Sequence, residues 1–390
     1  MQFKIMHSRF FKKTFALLIV FSLFLLLRWY ILYNINDFNL KQEPLFFSEY
    51  ILRHIFLDYR LTLGLGFINL ILLYIIGARA FNLLFGFFLA LLYAISPWST
   101  YVDIFGGNNV YLLSWLLTFV LSIILFKQDH KFSFQILLFS LIGILTSSIF
   151  GVLILVFLLF SIYLIKYLNK KKVIQLSKLT LISILIATYM LLTNIGATKN
   201  LIWVNSQFFQ DIGILNTVNQ LRGETNSTQF GRIGKIVENK YLYIGEKLLL
   251  NFSMNFSPSL FFTPQFKLFD FSFSPPIYLG LIIPCINGII ILSKQKKYLI
   301  TSILLILGLS LPSVLSKNSP SLTKLILISP IIYAYIGLGL IKILNNIRNL
   351  RHSSLLIIML FLIIIQFLVV IADIGLRERI RFEMFYNQFS

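Results

Sequence analysis

Asn216-Thr217-Val218-Asn219-Gln220-Leu221-Arg222-Gly223-Glu224 stands inside a polar stretch, roughly Gly196 to Ser274, set in a chain otherwise built of apolar runs. A membrane span takes about 20 mostly apolar residues. Runs that approach this length lie near 14–33, 61–78, 81–97, 110–126, 134–147, 149–166, 176–195, 275–293, 298–315, 323–344 and 353–373. The stretch 134–166 is one continuous run, divided here at the polar turn Thr146-Ser147-Ser148. The pattern predicts an all-α polytopic membrane protein with about eleven transmembrane helices. It is a single integral membrane domain over 1–390 with a first outer loop at 34–60, interfacial amphipathic helices and one large extracytoplasmic loop at 196–274.

Composition agrees. The 390 residues are 58% apolar and only 12% charged, about half the charged share of soluble domains. The net charge of +20 has a topological origin. With the N-terminus inside, Lys4, Arg9, Lys12, Lys13, Arg79, Lys127, Lys131, Lys166, Lys170 to Lys172, Lys178, Lys294, Lys296, Lys297, Lys342, Arg348 and Arg351 all fall on the cytoplasmic side. The opposite short loops are nearly bare: 98–109 and the Ser147 turn carry no Lys or Arg, and 316–322 carries Lys317 alone. This is the positive-inside asymmetry. No nucleic-acid partner is needed to account for the charge.

The apolar run that follows the first basic residues has no small-x-small cleavage site and ends in Arg28-Trp29-Tyr30, an interfacial anchor pattern. It is therefore expected to stay as the first span of a plasma-membrane protein. The lone Cys285 excludes disulfides and Cys-based metal sites. His7, His54, His130 and His352 are scattered over different loops, and the carboxylates are too dispersed to predict a metal site. A transporter should bury ionisable groups within its spans, and these spans are almost free of them.

Chemistry is expected in the outer loops. The first carries Asp37, Glu43, Glu49 and Asp58; Asp37, just past the first span, is best placed to take a proton from an acceptor hydroxyl. Phe46 to Tyr59 reads as a surface amphipathic helix. In Ser96-Pro97-Trp98-Ser99-Thr100-Tyr101-Val102-Asp103, Pro97 ends a helix, Trp98 and Tyr101 suit an interfacial belt, and Asp103 is the one charge, a solvated loop acid or helix cap unless it serves catalysis. Lys235 to Asn251 has apolar residues Ile236, Val237, Tyr241, Ile244, Leu248 and Leu249 near helical spacing and reads as another interfacial helix. Arg222, Lys267 and Lys324 are the cations able to meet a lipid phosphate.

Four stretches together carry a family resemblance. They are Leu27-Arg28-Trp29-Tyr30; Gly77-Ala78-Arg79-Ala80-Phe81 through Ser96-Pro97-Trp98; Asn219 to Glu224 with Asn239-Lys240 and Asn255 to Phe262; and Leu311-Pro312 followed by Pro320-Ser321-Leu322-Thr323-Lys324 and Pro330. In this order they resemble the GT-C superfamily, polytopic glycosyltransferases of the protein-mannosyltransferase and aminoarabinose-transferase type. The sequence departs from that pattern in having no Asp-Glu dipeptide in the first loop and Val102-Asp103 where Ser-Arg is usual.

The resemblance implies inverting transfer of a sugar from a polyprenyl-phosphate donor to a glycan, lipid or protein acceptor of the envelope, on the extracytoplasmic face. It implies Asp37 and Asp103 as catalytic acids, and Glu43, Arg222, Glu224 and Lys324 as residues binding substrate or the lipid phosphate. No cofactor is expected, and the need for a divalent cation stays open. Two alternatives remain: a diverged, non-catalytic member of the same fold, and a polysaccharide or lipid transporter or polymerase.

Overall fold

The computed structural model describes residues 16–30, 33, 59–105, 107–128, 130–147, 216–221, 239–262, 266–268, 271–273, 275–316, 319–346 and 350–389. Over these residues the chain is a helical membrane protein. Five helical stretches are long and apolar enough to cross a bilayer: Leu61–Ala80, Asn109–Lys127, Lys296–Val314, Leu322–Asn345 and Ser353–Ala372. A sixth crossing arises if the bent pair Leu83–Ile95 and Pro97–Ile104 counts as one span. Ala16–Tyr30, Ser133–Ile144 and Leu279–Ser293 are shorter apolar helices. The runs at 149–166 and 176–195 lie outside the described residues, as does nearly all of the first outer loop.

The first helix, α1 (Ala16–Tyr30), sets Val20, Phe24 and Leu27 into the core. Helices α2 (Tyr59–Ala80) and α3 (Leu83–Ile95) form a hairpin whose turn is closed by Asn82. Its side chain accepts from the Phe85 N–H at 2.8 Å, satisfying one of the unpaired donors at the start of α3. Ser96 then breaks the helix with extended torsions, φ −63° and ψ 126°, as a residue before proline tends to do. Pro97 starts the next helix, α4 (Pro97–Phe105), where its missing N–H costs nothing. The axis bends by 63° across this break.

The stretch after Trp98 is therefore helix and not the open outer loop expected from the sequence. Trp98 and Tyr101 are buried in the core rather than held in an interfacial belt. Helix α5 (Gly107–Lys127) packs on α2 and on α6 (Ser133–Ser147).

In the later half, α7 (Lys240–Asn255) and the short α8 (Pro258–Phe262) precede a two-stranded antiparallel ribbon, β1 (Phe266–Leu268) with β2 (Phe271–Phe273). The ribbon is a departure from the all-α expectation. Its register pairs Phe266 with Phe273 and Leu268 with Phe271. Next come α9 (Ile282–Ser293), α10 (Lys296–Val314), the single turn α11 (Leu322–Leu325), α12 (Ser329–Asn345) and the long α13 (Leu350–Phe389).

Helices α9 and α12 meet backbone to backbone. A Cβ on Gly288 would strike the carbonyl of Tyr335, and one on Gly339 would strike the carbonyl of Pro284. In lipid no hydrophobic gain drives helices together, so close approach through small residues supplies the packing. α12 also packs on α3, joining the two halves. The apolar stretch of α13 is only 11% buried within the protein, as expected of a helix solvated by lipid on most sides.

Turns group by end. Arg79, at the end of α2, donates to Gln128, at the end of α5, at 3.2 Å. The α3–α4 bend, by contrast, touches Pro276 and Leu322.

Candidate functional site

The charged centre of the described structure is an ion pair that joins α1 to α4. Arg28 Nε and Nη2 donate to Oδ2 of Asp103 at 2.9 and 2.6 Å. Nη1 donates to the carbonyls of Ala94 at 3.0 Å and Phe24 at 3.4 Å, and Nη2 reaches Ser99 Oγ at 3.4 Å. A guanidinium has five N–H donors, and each here has an acceptor. The Phe24 ring lies beneath it, 3.6 Å from centroid to Cζ, a cation–π contact in a desolvated setting. On the other side, Tyr93 of α3 donates its hydroxyl to Asp103 Oδ1 at 2.5 Å. The two charged side chains are 2% and 1% exposed.

Neighbouring backbone closes around the pair. Gly66 of α2 lies against the carboxylate, so that a Cβ there would meet Asp103 Cγ at 2.5 Å. Asn69, one turn on, faces the Tyr93 hydroxyl and the Val110 carbonyl, each at 3.5 Å. Its own Oδ1 has no hydrogen-bond partner. Ser99 Oγ faces the carbonyls of Tyr93 and Ser96. Both carboxylate oxygens are occupied, Oδ2 by Arg28 and Oδ1 by Tyr93, so a proton arriving on either would displace one of these bonds. Losing one partner of such a pair leaves a bare charge in a low-dielectric interior, at a cost of about 3–5 kcal/mol.

The bend that carries Asp103 is also tied to the distant end of the chain. Ser96 Oγ donates to the Pro276 carbonyl at 2.9 Å, and Tyr278 donates back to the carbonyl of Ile95 at 2.8 Å. Trp98 donates its indole N–H to the carbonyl of Leu322 at 2.8 Å, and its ring packs on Phe261 at 5.6 Å between centroids.

Two residues beyond Leu322, Lys324 donates to Ser316 Oγ at 2.9 Å. Beside it runs a chain of small polar groups. Asn255 Nδ2 donates to Ser319 Oγ at 3.0 Å, Ser313 Oγ to Asn255 Oδ1 at 2.8 Å, and the Ser321 N–H to Ser313 Oγ at 2.8 Å.

Of the residues that the resemblance makes catalytic or substrate-binding, Asp103 and Lys324 are described, and they stand at the two ends of this stitched region; Lys267 lies in β1. Asp37, Glu43, Arg222 and Glu224 lie outside the described residues. The picture of Asp103 as a solvated loop acid or helix cap is corrected: it is buried within α4 and ion-paired. Arg28 is corrected likewise, from an interfacial anchor to the partner of Asp103.

Sequence reasoning passed over Arg28, Tyr93, Gly66 and Asn69 as members of a site. A signal was present, since an ionisable residue inside an apolar run calls for an opposite charge in another. Among the described residues, no group of three or more His, Cys, Asp or Glu gathers at one place.

Set against protein-family models and curated proteins, the chain matches none.

Proposed function

We propose that the protein is a plasma-membrane glycosyltransferase of the GT-C kind, with about eleven spans and the 196–274 stretch outside the cytoplasm. It transfers a sugar from a polyprenyl-phosphate donor to an envelope glycan, lipid or protein. One observation carries the reading: stretches of the family-like pattern that are remote in sequence meet in space. Arg28 of the first stretch donates to the Ala94 carbonyl of the second, and Trp98 of the second contacts Leu322 of the fourth and Phe261 of the third.

In the proposed reaction an acceptor hydroxyl attacks the anomeric carbon. The new glycosidic C–O bond forms as the bond to the phosphate oxygen breaks, and the polyprenyl phosphate leaves with the electron pair. Asp37 takes the hydroxyl proton. Arg222 and Lys324 meet the charge that grows on the departing phosphate, with Glu43 and Glu224 contacting substrate. Asp103 acts through Arg28 as a positioning residue, holding the end of α1 against the α3–α4 bend.

The test is purified protein in lipid with a panel of radiolabelled polyprenyl-phosphate sugars, native against Asp37→Asn. Transfer by the native chain that is lost in the variant is the expected result. Undiminished transfer in the variant removes Asp37 as the base, and no transfer with any donor removes the enzyme reading. The sealing of Asp103 by Arg28 and Tyr93 favours a second reading, a lipid-binding partner with this fold and no turnover. Donor-lipid binding without transfer in the same assay would identify it.

A further inference from the structure

The apolar residues of helix α7 divide between two faces, Tyr241 and Leu249 outward and Ile244 inward. Ile244 and Leu248, two of its apolar residues, face the protein, packing with Val218 and Leu315. Asn251 and Asn255 share that inward stripe at spacings of three and four residues. Asn251 Nδ2 donates to the Val314 carbonyl at 2.9 Å, and Asn255 bonds to Ser313 and Ser319. Polar side chains thus hold α7 to the C-terminal end of the membrane-length helix α10.

The outward stripe consists of Leu242, Glu246, Leu249, Leu250 and Ser253, flanked by Tyr241 and Met254. Leu249 is 71% exposed, the most of the exposed large apolar side chains on this helix. A helix bathed in water would keep its large apolar side chains inside; here they cover the outer face as well, while two amides share the inner one with Ile244 and Leu248.

We infer that the outward stripe of α7 is immersed in the acyl–head-group boundary of the bilayer, so that the partner of this surface is lipid. Two observations select that occupant. First, α10 exposes Ile300 and Ile303 in its first half but is buried at Gly308 to Ser310 and Pro312 to Val314, where α7 attaches. The outward leucines of α7 therefore continue the lipid-facing surface at the point where α10 stops supplying one. Second, Glu246 and Ser253 lie within the stripe, which suits a shallow, interfacial depth rather than the hydrocarbon centre. The consequence is local: the Asn255–Ser313–Ser319 chain and Lys324 lie at head-group level beside a lipid-wetted helix. This placement holds whether or not the protein transfers sugars.

Site-directed spin labelling tests it on the full chain in phosphatidylethanolamine–phosphatidylglycerol vesicles. The lone Cys285 is changed to Ser, and single cysteines replace Leu242, Leu249, Ile244 and, on the lipid-facing α13, Leu360. Labels at 242 and 249 are expected to collide with oxygen several-fold more often than with a water-soluble nickel complex, with a depth shallower than the label at 360. The label at 244 should be shielded from both. Nickel collisions dominating at 249 would place the stripe in water and overturn the inference. Shielding from both reagents at 242 and 249 would mean protein covers it, either another part of this chain or a second copy, and would overturn it equally. Should Ile244→Cys fail to fold, the two exposed positions and the 360 calibrant decide the matter alone.

Discussion

The indole N–H of Trp98 donates to the carbonyl of Leu322 across 224 residues of sequence. This one bond links the α3–α4 bend, where Asp103 is buried, to the turn that carries Lys324. The carbonyl lies in a buried segment with no water to replace the donor. Trp98→Phe keeps the ring against Phe261 but orphans that acceptor, and should cost about 1–3 kcal/mol. Equilibrium unfolding in mixed micelles measures it; an unchanged midpoint would show the bond contributes nothing.

Asp103→Asn leaves the Arg28 guanidinium buried beside a neutral amide and is expected to destabilise by about 3–5 kcal/mol. Arg28→Met alone should do the same by stranding the carboxylate. The double variant Arg28→Met with Asp103→Leu removes both charges, and should be less destabilised than the sum of the single changes. Simple additivity in the unfolding midpoints would mean the two residues do not act as a pair.

Gly66→Ala and Gly64→Ala form a matched test on one helix. The first places a methyl where Asp103 Cγ is 2.5 Å away, and should lose about 1–3 kcal/mol by overpacking. The second meets nothing within 4 Å and should be neutral or stabilising, by up to about 1 kcal/mol. Equal effects at both positions would contradict the close approach of α2 to the carboxylate.

Gly339→Leu should separate α12 from α9, because its side chain would enter the Pro284 backbone. Loss of folded protein from mild-detergent extracts, read by size-exclusion fluorescence, is the expected outcome. Retention of a native elution profile would show that the crossing tolerates more separation than the structure allows.

Much of the helix inventory was legible in the residues. The run read at 110–126 is α5, that at 298–315 is α10, and that at 353–373 is the lipid-exposed part of α13. Apolar runs of this length have one stable state in a bilayer, since every backbone N–H and C=O must be satisfied within the segment. The helix after Trp98 was not legible. Its residues, Pro97 to Phe105, mix polar and aromatic types. The Thr100 hydroxyl bonds locally, to the Ser96 carbonyl, but only packing against α2, α5 and α11 buries the segment and gives the indole its partner. Nor did residue type reveal the inner face of α7, whose asparagines look solvent-seeking yet are buried by their partners.

Residue types alone were enough to decide that the chain lives in a membrane, roughly where its helices begin and end, and that Ser96-Pro97 interrupts one of them. These are local consequences of apolar length and of proline's missing N–H. Which polar groups meet was settled only by tertiary structure. Arg28 and Asp103 are 75 positions apart, and no local property of either reveals the other. Their pairing follows from α1, α2, α3 and α4 converging where Gly66 leaves room for a carboxylate, and charge attraction becomes decisive only once that packing has excluded water.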